Sequence, residues 1–460
     1  MIELKLSSAA EWMDAKFFAA DQLFQGVSID SRTVQKGNLF FAIKGDNVDA
    51  HDFLEQAQTN GAAAAVVDHY QENISLPQLQ VDNSILALGR LAKRYRQGFS
   101  LALAAVTGSC GKTTVKEMLA SILSMEGPFL ASKGNLNTEI GVPLSLLCLA
   151  PEQRYAVIEM GARQKGDIRY LMNLVEPDVT LITNAGVAHL EIFGSERGIA
   201  EAKGEIFSSL KPQGTAVINA DDPNADYWRS LLSTQAVVNF GLQAKGNTKG
   251  TPLDFSAANL QQTAETSQFD FLTPLGNRRI QLKAFGEHNV SNAVAAAAVA
   301  YVLGISLDNI VLGLEKFLPV SGRLQFKAGK SGIKIMDDTY NANPVSVLAA
   351  LAVLANCKGK KIFVMGDMLE LGSHAVELHR EIGEEAQRLG IDKMYGFGRW
   401  TAEATKAFGS QAKHYPDKAT LIQSLEAEEA GQDEERMILI KGSRGMKMEE
   451  IVQALMEYGN

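Results

Sequence analysis

The chain has 460 residues, of which 46% are hydrophobic and 21% charged, with a formal net charge of −9. That is ordinary globular composition, and at roughly 150 residues per domain the length suggests about three domains. An acidic balance leaves no basic footprint for nucleic acid, so no nucleic-acid partner is expected. The three cysteines, Cys110, Cys148 and Cys357, are sparse and lack metal-type spacing, which suits a reducing compartment rather than a disulfide framework. The opening stretch "MIELKLSSAAEWMDAKFF" lacks the basic and apolar regions of a signal peptide. The longest apolar run, "AVAAAAVAYVLGI" at 293–305, is too short to span a bilayer and reads as a buried helix. A cytoplasmic monomer with no membrane insertion is the expectation.

Residues 1–84 read as a small mixed α/β unit. "LFFAIKG" (39–45) predicts a strand, "FLEQAQTNG" (53–61) a helix closed by glycine, and "AAAAVVD" the next strand. "ILALGRLAKRYRQGF" (85–99) is an amphipathic helix leading onward. From about residue 100 the pattern becomes strand, turn, helix, repeated: "LALAAV", "YAVIEM" (155–160), "VTLITN" (179–184) and "GTAVINADDP" (214–223) predict strands, and "ERGIAEAKGEIFSSL" (196–210) a helix. Such alternation argues for a mostly parallel sheet covered by helices. "FDFLTPLGNRRIQL" predicts an antiparallel hairpin, and an Ala-rich helix from His288 closes this unit. After "KFLPVSGR" (316–323) the alternation restarts with strands "GIKIMDD", "KIFVMGD", "KMYGFG" and "RMILIKG", a second doubly wound unit. The expected architecture is therefore α/β in three domains, 1–84, 85–315 and 316–460: a small mixed N-terminal unit, a central P-loop ATPase-type unit and a C-terminal Rossmann-like unit.

The stretch "LALAAVTGSCGKTTVKEML" (101–119) carries the chemistry. It resembles G-x-x-x-x-G-K-[ST], except that Val106 stands where the first glycine belongs. An apolar strand, a glycine-rich turn and a helix N-terminus make an anion site, with backbone N–H groups of Gly108, Cys110, Gly111 and Lys112 facing phosphates. Lys112 would reach the β/γ-phosphates and the Thr113 hydroxyl would take a place on Mg²⁺. Cys110 could instead be a reactive thiol, although no base accompanies it in the sequence. Three further clusters fall at or near strand ends: "IEMGAR" with Glu159, "TNAGVAHLEIFGS" with Asn184 and His189, and "AKGEIF" with Lys203. In an open α/β sheet, ligands gather at the carboxyl ends of strands. A carboxylate and an imidazole beside a triphosphate suggest metal coordination. Read singly, His189 is more often a hydrogen-bonded structural residue and Lys203 more often solvated helix surface; their position at or near strand ends decides the weighing.

The stretches "TGSCGKTT", "NLNTEIGVPLSLL", "EMGAR", "TNAGVAHLEIFGS", "AKGEIF", "FGEHNVSNAVAA", "SGR", "DDTYNANP" and "GDMLELG" occur in the order seen in the Mur ligases, and the chain resembles that family over nearly its whole length. The family's phosphate loop, T-G-x-x-G-K-T, lacks the leading glycine, which accounts for Val106. The resemblance implies an ATP-dependent amide ligase of peptidoglycan precursor synthesis with ATP and Mg²⁺ as cofactors. Through the N-terminal "SIDSRTVQKGNLFFAIKGDNVDAHDF", "DDTYNANP", "GDMLELG" and "KGSRGMKME" (441–449), the resemblance implies UDP-N-acetylmuramoyl-tripeptide and D-alanyl-D-alanine as substrates, bound by residues 1–84 and 316–460 respectively.

Residue by residue, the resemblance implies that Thr107, Gly108, Ser109, Cys110, Gly111, Lys112, Thr113 and Thr114 form the ATP phosphate loop. It makes Asn289 and Asn292 adenine contacts, and has Arg323 and Asp338 reach the phosphates and ribose. Thr113, Glu159, His189 and Lys203 would serve the metal ions, with Lys203 carrying a carbamate formed from CO₂; Lys112, Glu159, His189 and Lys203 make up the catalytic set. Ser31 and Arg32 would touch the uridine diphosphate, Asn137 and Thr138 the muramoyl-peptide, and Tyr340, Asn341, Asn343, Ser443 and Arg444 the dipeptide. Arg163 departs from the small residue usual in relatives; it is either a bidentate donor to a substrate carboxylate or phosphate, or a surface arginine at a loop edge. Two other readings stay open here: a folylpolyglutamate synthase or another Mur ligase, and a P-loop regulatory protein. A dinucleotide-binding reading of the C-terminal unit lacks a G-x-G-x-x-G after its first strand.

Overall fold

The computed structural model describes residues 1–17, 19–186, 190–242, 252–263, 266–429 and 435–456. Three principal sheets follow one another along the chain. In the first, strands Val27–Ser28, Leu39–Phe41, Ala64–Val67 and Gln78–Gln80 run parallel, and Lys16–Phe17 adds an antiparallel edge. The short runs "LFF" and "AAVV" are buried on both faces, which is why they read as continuous apolar stretches rather than alternating ones.

The central sheet has nine strands. Seven of them, Phe129–Ala131, Tyr155–Glu159, Ala102–Thr107, Val179–Ile182, Thr215–Asn219, Ala236–Leu242 and Phe255–Gln262, lie side by side in that order and run parallel. The predicted hairpin, Ser267–Thr273 and Gly276–Leu282, extends the sheet antiparallel. Strand Ala102–Thr107 sits between Tyr155–Glu159 and Val179–Ile182, so the winding direction reverses around it. The carboxyl end of that strand is where an open α/β sheet builds its ligand crevice. The Ala-rich helix is Glu287–Val302; its residues from Ala293 to Ala300 are all buried, because alanines let it lie close against the sheet and against helix Lys112–Leu123.

The third sheet has the order Gln325–Ala328, Ile333–Asp338, Arg436–Lys441, Lys360–Gly366, Lys393–Phe397, Ala412–Tyr415, parallel except for the first pair. Strand Phe129–Ala131 and helices Gly141–Leu146 and Asp167–Val175 were not singled out from sequence. The strand is only three residues long, and the first helix is a six-residue segment containing Pro143, too short for a clear period.

Trp228 anchors the helix that carries Lys203. It is fully buried, and its indole N–H donates to the Ala200 carbonyl at 3.0 Å in helix Glu196–Gly204. A Cβ added at Gly204 would lie 2.8 Å from Leu231 Cδ1, a side-chain tip that would have to shift. Trp228→Ala is expected to destabilise the central unit by about 3–5 kcal/mol. The check is the urea midpoint of the central unit's unfolding transition, with Trp228→Phe showing a smaller loss.

Candidate active site

The glycine turn is shaped by two backbone conformations that side chains resist. Gly108 has φ 147° and Gly111 φ 82°. A Cβ on Gly108 would lie 1.9 Å from Thr183 Oγ1, and one on Gly111 2.4 Å from Asn292 Oδ1. Asn184, at the end of the neighbouring strand, clamps the turn: its carbonyl accepts from Ser109 N–H at 2.9 Å and its Oδ1 from Cys110 N–H at 3.0 Å. Its Nδ2 returns a bond to the Cys110 carbonyl at 3.1 Å, and Thr183 Oγ1 donates to the same carbonyl at 2.6 Å. The Cys110 N–H, expected from sequence to face phosphates, is thus taken by an amide side chain. The first-turn N–H groups of helix Lys112–Leu123 have no intrahelical acceptors and remain the anion-facing donors. Lys112 Nζ folds back on the turn, donating to the Gly108 and Ser109 carbonyls at 2.6 and 3.2 Å. Thr107 and Thr114 are buried, Thr107 Oγ1 donating to the Met160 carbonyl at 2.8 Å, and Ser109 Oγ donates to the Gly186 carbonyl at 2.8 Å.

Glu159 ends the adjacent strand and is 2% exposed. Its Oε1 accepts from Asn137 Nδ2 at 2.9 Å and from the Thr113 hydroxyl at 3.3 Å, while Oε2 is buried with no partner among the described residues. An ionised carboxylate with one idle oxygen is costly in a protein interior unless a cation satisfies it. Glu159 Oε2 beside the Thr113 hydroxyl supplies the hard oxygen donors that Mg²⁺ prefers, and Mg²⁺ usually keeps several waters. Among the described residues no cluster of three or more carboxylates, imidazoles or thiols forms a metal cage; His189 lies outside the described residues. The site fits a cation held partly by protein and partly by phosphate and water.

Lys203 is 2% exposed. Burial, and then the Lys112 ammonium, hold its pKa down at about 7. Burial also lowers Lys112, with Glu159 opposing. Lys203 is therefore buried rather than helix surface, and the Lys112 charge opposes its own.

The third sheet's unit reaches this site. Arg323 Nη2 donates to Thr113 Oγ1 at 3.1 Å, and its guanidinium stacks over Tyr340 at 4.2 Å. Asn343 was expected as a dipeptide contact; it is the N-cap of helix Pro344–Ala355, closing a capping box with Ser346. Its Nδ2 lies 3.3 Å from Cys110 Sγ. Ser443 is 4% exposed, its hydroxyl bridging Ala342 O and Leu369 N–H at 3.2 and 2.8 Å, so in this arrangement it holds loops together. Asp338 accepts from Lys441 Nζ at 2.6 Å and from Leu324 N–H at 3.2 Å, and Lys441 also holds the Asn341 carbonyl at 2.8 Å. Arg444 pairs with Glu449 at 3.0 Å and lies 5.8 Å over the Tyr340 ring.

Asn289 and Asn292 sit on the first turns of Glu287–Val302, and Asn289 Nδ2 donates to Phe285 O at 2.8 Å. Asn292 borders the glycine turn, its Oδ1 occupying the space a Cβ on Gly111 would need. Thr138 adjoins Asn137, and its Oγ1 accepts from Gly141 N–H at 3.5 Å. Arg163 is exposed, and its backbone N–H donates to Asp167 Oδ2 at 2.8 Å. Ser31 and Arg32 belong to the N-terminal unit: Ser31 Oγ bonds Gln56 Oε1 at 2.7 Å, and Arg32 grips Asp30 with two N–H groups at 2.9 and 2.7 Å.

Sequence reading missed the support beneath Glu159. Lys116 is fully buried and donates to the Ser132 carbonyl at 2.8 Å, and Ser132 Oγ accepts from Glu159 N–H at 3.1 Å. Lys116 lies four residues beyond Lys112 on the same helix, and that spacing was the available signal.

A strand-to-helix phosphate turn, a buried carboxylate, two lysines and an arginine from a following α/β unit define a nucleotide-dependent phosphoryl-transfer enzyme. Family comparison narrows this. Residues 106–300 match the Mur ligase middle domain, 322–444 the Mur ligase glutamate ligase domain, and 23–96 the Mur ligase family catalytic domain. The UDP-N-acetylmuramoyl-tripeptide–D-alanyl-D-alanine ligase of Escherichia coli (strain K12) is 41% identical over 459 residues, covering 100% of both chains. A crystal structure of MurF from Acinetobacter baumannii superimposes with TM-score 0.93 at 36% identity over 100% of both chains. MurF ligase from Thermotoga maritima in complex with ADP gives TM-score 0.81 at 29% identity, covering 94% of this chain and 96% of that one. The chain belongs to the Mur ligase family.

Lys203 provides a pH test of the site. Its folded pKa is depressed from 10.5 to about 7, so between those values the unfolded chain binds more protons. The folded state is penalised increasingly as pH falls from about 10 to about 7. Lys203→Met is therefore expected to raise the unfolding midpoint more at pH 7 than at pH 10; equal shifts at both would refute the buried-amine picture.

Proposed function

We propose that the chain is an ATP-dependent ligase that joins D-alanyl-D-alanine to UDP-N-acetylmuramoyl-tripeptide, giving the pentapeptide precursor of peptidoglycan, ADP and phosphate. Full-length likeness to enzymes of that name supports the reading. The observation that carries it is Arg323 on Thr113, because it brings the following unit onto the phosphate turn, where an activated acyl group would meet its acceptor.

The chemistry needs that proximity. A carboxylate is a poor acyl donor because an oxide leaves badly. The tripeptide's terminal carboxylate oxygen attacks the γ-phosphorus, the β–γ phosphoanhydride bond breaks, and ADP leaves. The dipeptide amine attacks the acyl carbon, the acyl C–O bond breaks, phosphate departs and the amine gives up a proton. Lys112 and the helix N-terminus stabilise charge on the transferring phosphoryl. Mg²⁺ held by Thr113 and Glu159 would supply further charge neutralisation there. Lys203, kept partly neutral by its setting, is the amine that CO₂ would convert to an anionic carbamate. Holding the reactants in register contributes about 7–11 kcal/mol in well-aligned systems.

In this reading residues 1–84 hold the uridine nucleotide near Ser31 and Arg32, residues 85–315 the ATP, and residues 316–460 the dipeptide near Tyr340, Asn341 and Arg444. Asn137, Thr138 and Arg163 lie toward the muramoyl-peptide. Residues 316–323 are the hinge about which the last unit moves, with Arg323 seated when it closes. The enzyme works as a cytoplasmic monomer; no helix among the described residues is long and apolar enough to cross a membrane.

Ligation of UDP-N-acetylmuramoyl-tripeptide to D-alanyl-D-alanine with ATP, read as phosphate release and product mass, tests the function. Lys112→Ala is expected to abolish turnover. Lys203→Ala is expected to lose at least 100-fold, with partial recovery on adding small carboxylic acids. ATP hydrolysis that ignores the UDP-sugar peptide would refute the proposal. Unchanged small-angle scattering on adding an ATP analogue with the peptide substrate would refute the hinge.

A further inference from the structure

At the amino ends of the central strands, opposite the phosphate turn, lies an open cavity of about 570 Å³. The six-residue strand Ala102–Thr107 separates the two, a distance of roughly 20 Å. Its lining includes Arg96, Arg154, Lys211 and Asp178, with the rings of Phe99 and Tyr155. Three cations against one carboxylate is an unusual concentration in a chain of net charge −9.

Arg96 is the informative residue. It is 6% exposed, donates from Nη1 to the Phe99 carbonyl at 2.9 Å, and has a buried Nε with no acceptor. Burial works against its charged form, and Asp178 and Glu176 only partly compensate. Glu176 is itself engaged by Lys93 at 3.5 Å and by Gln97 at 3.2 Å. Asp178 is shared between Lys211 Nζ at 2.9 Å and Leu103 N–H at 3.0 Å. Arg154 is exposed, its guanidinium 5.8 Å over the Tyr155 ring and outside every ion pair among the described residues. Helices Ser84–Arg96 and Glu287–Val302 end here, and each terminus contributes about −0.5 charge. The lining side chains still outweigh them.

The lining carries net positive charge, and an anion in the cavity would offset it. The volume lies within the usual range for small-molecule sites. We propose that this cavity, built by Arg96, Arg154 and Lys211, is a second binding site for a small polyphosphate, separate from the phosphate turn. The ligand carries at least two negative charges, as a free polyphosphate or as the phosphate tail of a nucleotide.

The test is calorimetric titration of pyrophosphate into protein whose phosphate turn is saturated with Mg²⁺ and a non-hydrolysable ATP analogue. One site is expected, weakened at least tenfold by Arg154→Glu and by Lys211→Met, two substitutions at the rim. In a second arm ADP is titrated into the free protein. Two sites, one of them removed by Arg154→Glu, identify a nucleotide as the source; one site, with pyrophosphate binding retained in the first arm, identifies a free polyphosphate. Absence of pyrophosphate binding, or binding unchanged in both variants, overturns the proposal.

Discussion

A single buried carboxylate organises the site. Glu159 stands at the end of an apolar strand and shares one oxygen between Asn137 and Thr113, leaving the other idle. The arrangement persists only because its surroundings hold it: Ser132 receives its backbone N–H, and Lys116 fixes Ser132 from below. The neighbouring strand supplies the phosphate turn, and parallel pairing of Glu159 with Val106 sets the two at the same height. Parallel register thus converts sequence position into catalytic proximity.

Tertiary packing then brings in groups that no local pattern could. Lys203 arrives on a helix held by Trp228, and its amine is desolvated beside Lys112. Arg323 arrives from the segment leading into the third sheet. These contributions come from residues 112 to 323, and only the folded chain puts them together.

Much of this was legible in the letters. Buried parallel strands announce themselves as short apolar runs, and "TGSCGKTT" fixes the turn because only glycine fits at Gly108 and Gly111. The Ala-rich helix was readable because close packing demands small residues. The side-chain partners were not readable. Asn343 ahead of Pro344 is a readable helix start, and it caps that helix with Ser346, but the stretch "DDTYNANP" does not say whether the same side chain also meets a substrate. Ser443 resembled a ligand-facing loop residue and turned out to be a buried bridge between loops. The Cys110 N–H is diverted because Asn184, 74 residues away, competes for it.

The bond from Arg323 to Thr113 has a thermodynamic implication. A hydroxyl oxygen has two lone pairs, and here one is already occupied by a guanidinium from another part of the chain. In the proposed reading, a divalent cation at that oxygen would compete with the guanidinium for it. On that reading, nucleotide loading and the seat of Arg323 meet at one oxygen atom.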